Sequence, residues 1–477
     1  MTESRFDFLK EDYAKAVEWY QKAAEAAAQG DAKAQTFLGK CYQYGQGVAQ
    51  DDKKAIEWYQ KAAAQGDADA QTHLGLCYQV GKGVAQDDKK AVEWYQKAAA
   101  QGDASAQTLL GVCYQVGTGV AQDDKKVVER YQKAAEQGDA SAQYNLGRCY
   151  QYGQGVAQDY EKAVEWYQKA AVQGNADAQL FLGLCYEKGI GVAQDYEQAV
   201  EWLKKAVDQG NKNAQFKLGW CYAEGKGVVQ DYEQAVEWFK KAAAQGDADA
   251  QYNLGRCYGA GIGVVQDLTK AVEWFMKAAG QGDAGAQFSL GWCYHYGKGV
   301  VQDYEKAVEW YKKAADQGNA DAQFFLGLCY EEGKGGAQDH EKAVDWYKKA
   351  ADQGNAYAQY NLGWCYHYGK GVTRDYKKAV YWYKKAADQG HVVAQYQLGW
   401  CYQIGLGVTQ DYAKAVEWYK KAADQGNETA QRRIDELQKK QKENSKGKEK
   451  ESSEGLGCLG KIGLGVIIVF ILMKILS

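Results

Sequence analysis

Residues 67–102 read DADAQTHLGLCYQVGKGVAQDDKKAVEWYQKAAAQG. Asp67 has the side chain of a helix N-cap, and Ala70, Leu74, Cys77 and Tyr78 follow at i, i+4, i+7 and i+8, which is one face of a helix. Gly81 and Gly83 end that helix. Asp87 is positioned to cap a second one, whose apolar stripe is Ala91, Trp94, Tyr95, Ala98 and Ala99 and which stops at Gly102. The stretch predicts a helical hairpin. Neither helix can bury its stripe alone, so the hairpin requires neighbours.

The neighbours are in the sequence. LGLCYQVGKGV returns as LGKCYQYGQGV at 38–48, LGRCYQYGQGV at 146–156, LGLCYEKGIGV at 182–192 and LGWCYHYGKGV at 290–300 and 362–372, always a multiple of 36 residues away. Of 12 cysteines, eleven lie one per repeat, from Cys41 and Cys77 to Cys401. A fixed period over a chain of 477 residues overrides the usual expectation of several globular domains. Equivalent cysteines a whole hairpin apart exceed the ~7 Å Cα separation a disulfide tolerates. With no apolar signal core in the opening MTESRFDFLKEDY, free buried thiols in a reducing compartment are expected. The net charge of −4, with lysines interspersed among acids, leaves no basic footprint for nucleic acid. Glycine, at 55 residues, punctuates a chain that has no proline.

The frame A-x-x-x-L-G-x-x-Y-x-x-G-x-G-V-x-x-D-x-x-K-A-x-x-W-Y-x-K-A-A-x-x-G resembles the Sel1-like repeat, a relative of the tetratricopeptide repeat. The resemblance covers eleven consecutive copies, residues 34–426. It implies an all-α superhelical solenoid acting as an adaptor in protein complexes; relatives serve in quality control at the endoplasmic reticulum, in chitin synthase regulation and in bacterial interactions with hosts. Two departures stand out. The proline usual after Gly-x-Gly-Val is replaced, as in Val84-Ala85-Gln86 and Val372-Thr373-Arg374, which predicts less rigid loops. Secreted relatives linked to β-lactam hydrolysis carry two cysteines per repeat, whereas this chain has one, so a hydrolase of that branch fits poorly. At the ends, residues 1–33 hold the second helix of a half repeat, with Trp19 and Tyr20 in register, and 427–437 form a C-terminal capping helix in which Ile434 and Leu437 take core positions.

Gly75 lies inside the first helix and recurs down to Gly399, at a cost of about 1 kcal/mol each against alanine. Close helix approach is the expected reason, with the Ala98-Ala99 pair filling the space. Leu74, Gly75, Cys77, Tyr78, Trp94 and Tyr95 are thus the repeat's structural core.

Catalytic chemistry finds little support. Cys293 and His295 look like a metal half-site, but Cys293 belongs to the core stripe, residues two apart do not share a helix face, and zinc wants three or four convergent ligands. The middle residue of the Gly-x-Gly loop varies, so the loop is a turn and not a phosphate cradle. GLGCLG at 455–460 matches a dinucleotide fingerprint without the strand that motif needs. Of the five histidines, His73, His340 and His391 fall at different places in the repeat and only His295 and His367 share one. No catalytic residue, metal or cofactor is expected, and the chain is read as a binding protein and not an enzyme.

Where repeats differ points to where it binds. Positions spaced i, i+3, i+6 and i+7 on the first helix read Asn145, Arg148, Gln151, Tyr152 in one repeat and Lys217, Trp220, Ala223, Glu224 in another. In tetratricopeptide relatives the first helices line the concave groove. Arg148, Tyr152, Trp220, Arg256, Trp292, His295, Tyr296, Trp364, His367, Tyr368 and Trp400 are therefore candidate contacts for a protein partner. The alternative is that the tryptophans pack between adjacent repeats. Arg130, standing where other repeats place tryptophan, marks a weak repeat, by drift or as a hinge.

Residues 438–455 read as a charged, disordered tether. The segment 456–477 contains an apolar run, Ile462 to Met473, which reaches the ~20 residues a bilayer requires if Lys461 and Lys474 snorkel. It is read as a transmembrane tail anchor, single-pass, with the array facing the cytosol because lysines concentrate in the tether; an interfacial helix and a segment buried in a partner are the alternatives. Cys458 is a lipidation candidate, and glycines 457, 460 and 463 would allow self-association through the anchor. The sequence thus predicts a membrane-tethered, non-catalytic scaffold for protein partners. A regulatory subunit of a membrane enzyme or quality-control complex and a secreted host-interaction effector are the other readings.

Overall fold

The computed structural model describes residues 3–25, 30–440 and 442–443. Contacts divide the chain at Ala250/Gln251 into two compact units, each a stack of helical hairpins. The repeat quoted above folds as two helices of 13 residues each, Ala68–Val80 and Asp88–Ala100. The Asp67 carboxylate accepts from the Ala70 amide, and the Asp87 carboxylate from the Lys90 amide. Each cap satisfies an amide the first turn leaves free.

Gly81 takes φ 75°, a left-handed conformation suited to glycine, and its N–H closes the first helix on the Cys77 carbonyl. Gly83 serves a different purpose. A Cβ there would lie 2.5 Å from the Asp52 carbonyl oxygen, so the loop sits directly on the second helix of the preceding hairpin.

The core crosses hairpin boundaries. Ala55, Ile56, Tyr59, Ala62 and Ala63 of one second helix pack with Ala70, Leu74 and Cys77 of the next first helix. Leu74, Cys77 and Tyr95 are buried, whereas Tyr78 and Trp94 are partly exposed. Trp94 lies against the cluster that the helix Asp52–Ala64 forms with the helix Ala68–Val80, and Lys97 covers its ring with Nζ 4.0 Å from the centroid. Trp19, in the helix Glu3–Glu25, has no such cluster beside it among the described residues and is 78% exposed.

The glycine inside the first helix has a different partner from the expected one. A Cβ on Gly75 would fall 2.5 Å from the Tyr95 ring and 3.2 Å from the Ala91 carbonyl oxygen. The ring of Tyr95, not the Ala98-Ala99 pair, fills the space. The loops have their own partners. Without proline they are tied down by glutamine: Gln194 donates to the Glu187 carbonyl at 2.8 Å, and Gln266 to that of Gly259 at 2.8 Å.

A buried glutamine on each first helix joins three helices. Gln71 Nε2 donates to the Ala63 carbonyl of the preceding hairpin at 3.2 Å, and Gln101 Nε2 donates to Gln71 Oε1 at 2.9 Å. The equivalents in the second unit are Gln287 to Ala279 at 3.3 Å and Gln317 to Gln287 at 2.8 Å. The ladder closes buried amide groups that would otherwise cost ~1–3 kcal/mol apiece.

The helix holding Arg130, Asp124–Glu136, is complete, with Val127 fully buried, although Arg130 Nε has no hydrogen-bond partner. At the far end residues 428–440 are helical, capped by Asn427, and Ile434 and Leu437 bury against Tyr419 and Ala422. The described residues include no helix long and apolar enough to cross a membrane. The anchor expected at 456–477, with Cys458, and most of the tether lie outside the described residues.

Candidate partner-binding face

The outward face of each first helix carries the residues that change from repeat to repeat. In the first unit, the Arg148 guanidinium lies 5.9 Å from the Tyr144 ring and 6.0 Å from that of Tyr152, which is exposed. Trp220 packs edge-on against Phe216 and Phe239 with centroids 6.4 and 6.0 Å away and remains partly exposed.

In the second unit the residues fall into two groups. Trp292 and Tyr296 form an exposed aromatic pair with centroids 5.1 Å apart, Trp292 being 39% exposed. Trp364 and Trp400, by contrast, each pack against the clusters of two adjacent hairpins, so inter-repeat packing accounts for much of their surface. Tyr368, beside Trp364, is exposed.

His295 and His367 do not reach the face. They are 3% and 8% exposed. His295 Nδ1 is 3.8 Å from Cys329 Sγ, and its ring is enclosed by Tyr304 and Phe325; the His367 ring stacks on Trp400 at 5.5 Å. Burial, aided by Lys334 and Arg374 respectively, holds both imidazoles below their ordinary pKa. They occupy the position from which, in other repeats, a glutamine accepts the hydroxyl of the buried tyrosine, as Gln79 does from Tyr95 at 2.7 Å. Opposite the two histidines, the hydroxyls of Tyr311 and Tyr383 have no hydrogen-bond partner among the described residues.

The same position opens a cavity. Gly259 faces Phe275 where other repeats pair glutamine with tyrosine, and a Cβ on Gly259 would meet only the Ala271 Cβ, at 3.7 Å. The space is about 580 Å³, with Phe275, Phe288, Trp292 and Phe325 among its walls and Arg256 and Lys298 in its lining. Arg256 and Trp292, adjacent repeats' versions of one stripe position, thus meet around one space. Sequence reading missed the cavity's cause, although the signal was present as a glycine and a phenylalanine replacing both members of a recurring pair.

Burial pushes Cys77 and Cys293 up to about 11 and Cys329, Cys365 and Cys401 to about 12, which disfavours their thiolates. Among the described residues no group of three or more His, Cys, Asp or Glu could hold a metal ion.

The Sel1 repeat model matches residues 6–27 and then eleven contiguous segments from 32–67 to 392–427. The chain is similar to a protective antigen of uropathogenic Escherichia coli whose crystal structure has this repeat fold, with 40% identity, a TM-score of 0.77, and coverage of 89% of this chain and 90% of that one. It is also similar to a Sel1 repeat protein from Oxalobacter formigenes, with 38% identity, a TM-score of 0.51, and coverage of 65% and 90%. No curated protein matches.

Proposed function

Because the chain belongs to the Sel1 repeat family, we propose that it is a non-catalytic scaffold whose first-helix faces hold protein partners. One observation carries this reading. The buried positions repeat every 36 residues, whereas the outward stripe position runs Arg148, Leu184, Trp220, Arg256, Trp292, Leu328, Trp364 and Trp400. A face that varies while its support does not is suited to recognising a particular surface. Residues 456–477, on sequence grounds, tether the array to a membrane and raise the effective concentration of its cargo there.

The test is copurification from native membranes of the full chain, a chain ending at Glu454, and a chain with Trp220, Trp292, Trp364 and Trp400 changed to alanine. Loss of a partner with the tryptophan variant, its helicity unchanged, is the expected result. Loss only with the truncation would assign recognition to the tail and refute a binding face on the array.

The identity of 40% with a protective antigen supports a second reading, a protein displayed to a host. Cleavage of the array by protease added to intact cells would favour that reading over a cytosolic scaffold.

A further inference from the structure

The geometry points to the cavity beside Gly259 as a docking site for an extended acidic-aromatic segment of a protein partner: an aromatic or large aliphatic side chain enters the cavity, and an adjacent Asp or Glu pairs with Arg256 and Lys298. This rests on the scaffold reading and specifies the chemistry of one contact.

The walls admit an apolar group. Phe275, Phe288, Trp292, Phe325 and Leu268 face a space of about 580 Å³, large enough for a bulky side chain with part of its backbone. The neutral polar side chains in the lining are already engaged: Gln266 Nε2 donates to the Gly259 carbonyl at 2.8 Å and Ser289 Oγ to the Gly285 carbonyl at 2.9 Å.

Two exposed cations also line the space, and like Arg148 and Lys370 at the equivalent positions of other repeats they are without an ion pair among the described residues. Elsewhere on this chain lysines commonly pair with acids, as Lys270 does with Asp267 at 3.2 Å and Lys306 with Asp303 at 3.1 Å. Arg256 and Lys298 form no ion pair among the described residues, and no acid lines the cavity. Arg256 has only the Tyr252 ring, 5.9 Å away. An apolar pocket with two uncompensated positive charges selects a ligand that is apolar and anionic within one residue's reach. Lysine-flanked segments are rejected by the same charges.

The test is an array of seven-residue peptides with the central residue varied over all amino acids and its neighbours set to Glu, Lys or Ser. It is probed with the full chain, with Arg256→Glu/Lys298→Glu, and with Gly259→Gln/Phe275→Tyr. The last variant installs the pair that Gln151 and Tyr167 form elsewhere in this chain, so it fills the cavity with a combination the fold already accommodates. Helicity and hydrogen exchange of the helix Leu268–Gly280 establish that the variants fold. The expected result is at least tenfold preference for glutamate-flanked over lysine-flanked Phe, Tyr, Trp or Leu, lost in the filled variant and inverted in the charge-reversed one.

Selection without an acid beside the apolar residue, or selection indifferent to both variants, overturns the proposal. Binding that survives cavity filling but is lost on Trp364→Ala/Trp400→Ala overturns it too, while leaving the scaffold reading intact. No retention of any peptide also overturns it, and the scaffold reading then stands or falls by copurification.

Discussion

Changing His367 to glutamine should stabilise the repeat that contains it. In the native protein His367 Nδ1 and the Tyr383 hydroxyl are both buried without a hydrogen-bond partner among the described residues. A glutamine there supplies the acceptor that Gln403 gives Tyr419 at 2.6 Å one repeat later. The new bond contributes about 1 kcal/mol, and removing the orphaned imidazole nitrogen recovers a further ~1–3 kcal/mol. Loss of the ring stacked on Trp400 costs about 0.5–1.5 kcal/mol. The net gain is about 0.5–3.5 kcal/mol, which lowers the population of locally open states by roughly twofold or more. The pH dependence fixes the sign independently. His367 has its pKa lowered from 6.5 by burial first and Arg374 second, so the unfolded chain binds its proton more readily than the folded one. The native repeat is then fully stable above the unfolded pKa and loses stability as pH falls through it. The variant's advantage should therefore grow from pH 8 to pH 5.5. Hydrogen exchange of the helices Ala356–Tyr368 and Tyr376–Asp388, corrected for intrinsic rates, measures both effects. Equal or faster exchange in the variant at both pH values would refute the reasoning.

Alanine at the helix-interior glycines should separate two kinds of hairpin. A Cβ on Gly147 would lie 2.7 Å from the Tyr167 ring, whereas on Gly183 its nearest side-chain contact is Leu203 Cγ at 3.1 Å. Gly147→Ala should cost up to about 2 kcal/mol, overpacking exceeding the ~1 kcal/mol of helix propensity gained, and Gly183→Ala should be near neutral; proteolysis of the two variants in denaturant ranks them. Cys257 is the one array cysteine that is not fully buried, so mass mapping after brief iodoacetamide treatment of the native protein should find it alkylated before the other ten.

Much of the fold was legible because the repeat writes its caps and stripes plainly. Asp67, Asp87, Gly81 and the Leu74–Cys77 face all act as their residue types and spacing imply. What was not legible depends on which neighbour a side chain meets. Trp94 and Tyr95 are adjacent on one apolar stripe, yet Tyr95 fills the space over Gly75 while Trp94 packs on the cluster shared with the helix Asp52–Ala64, under Lys97. Periodicity gives a direction around the helix and not the identity of the element on that side. The glutamine ladder escaped because Gln71 and Gln101 read as surface residues until their bonds are seen. His295 and His367 escaped for the converse reason: they read as face residues, yet their position adjoins the buried tyrosine and both rings are buried, without bonding the tyrosine hydroxyls.

These observations explain how an array can acquire a site without losing its stack. The Gly83 contact and the glutamine ladder, two of the forces that join hairpins, do not involve the outward stripe, although Trp364 and Trp400 of that stripe also pack between adjacent hairpins. Removing one partner of the tyrosine–glutamine pair would strand a buried hydroxyl at ~1–3 kcal/mol, but replacing both is close to neutral. The hairpin of Gly259 and Phe275 has replaced both. It gives up one net hydrogen bond, about 1 kcal/mol, and gains an opening beside Trp292 whose charges, Arg256 and Lys298, come from positions free to vary. Specificity in such a chain resides in its departures from the repeat. The pair position opposite the second-helix core residue, where Gln, Glu, His, Ala and Gly all occur, is the point at which, on the docking proposal, a substitution would convert core support into a binding surface.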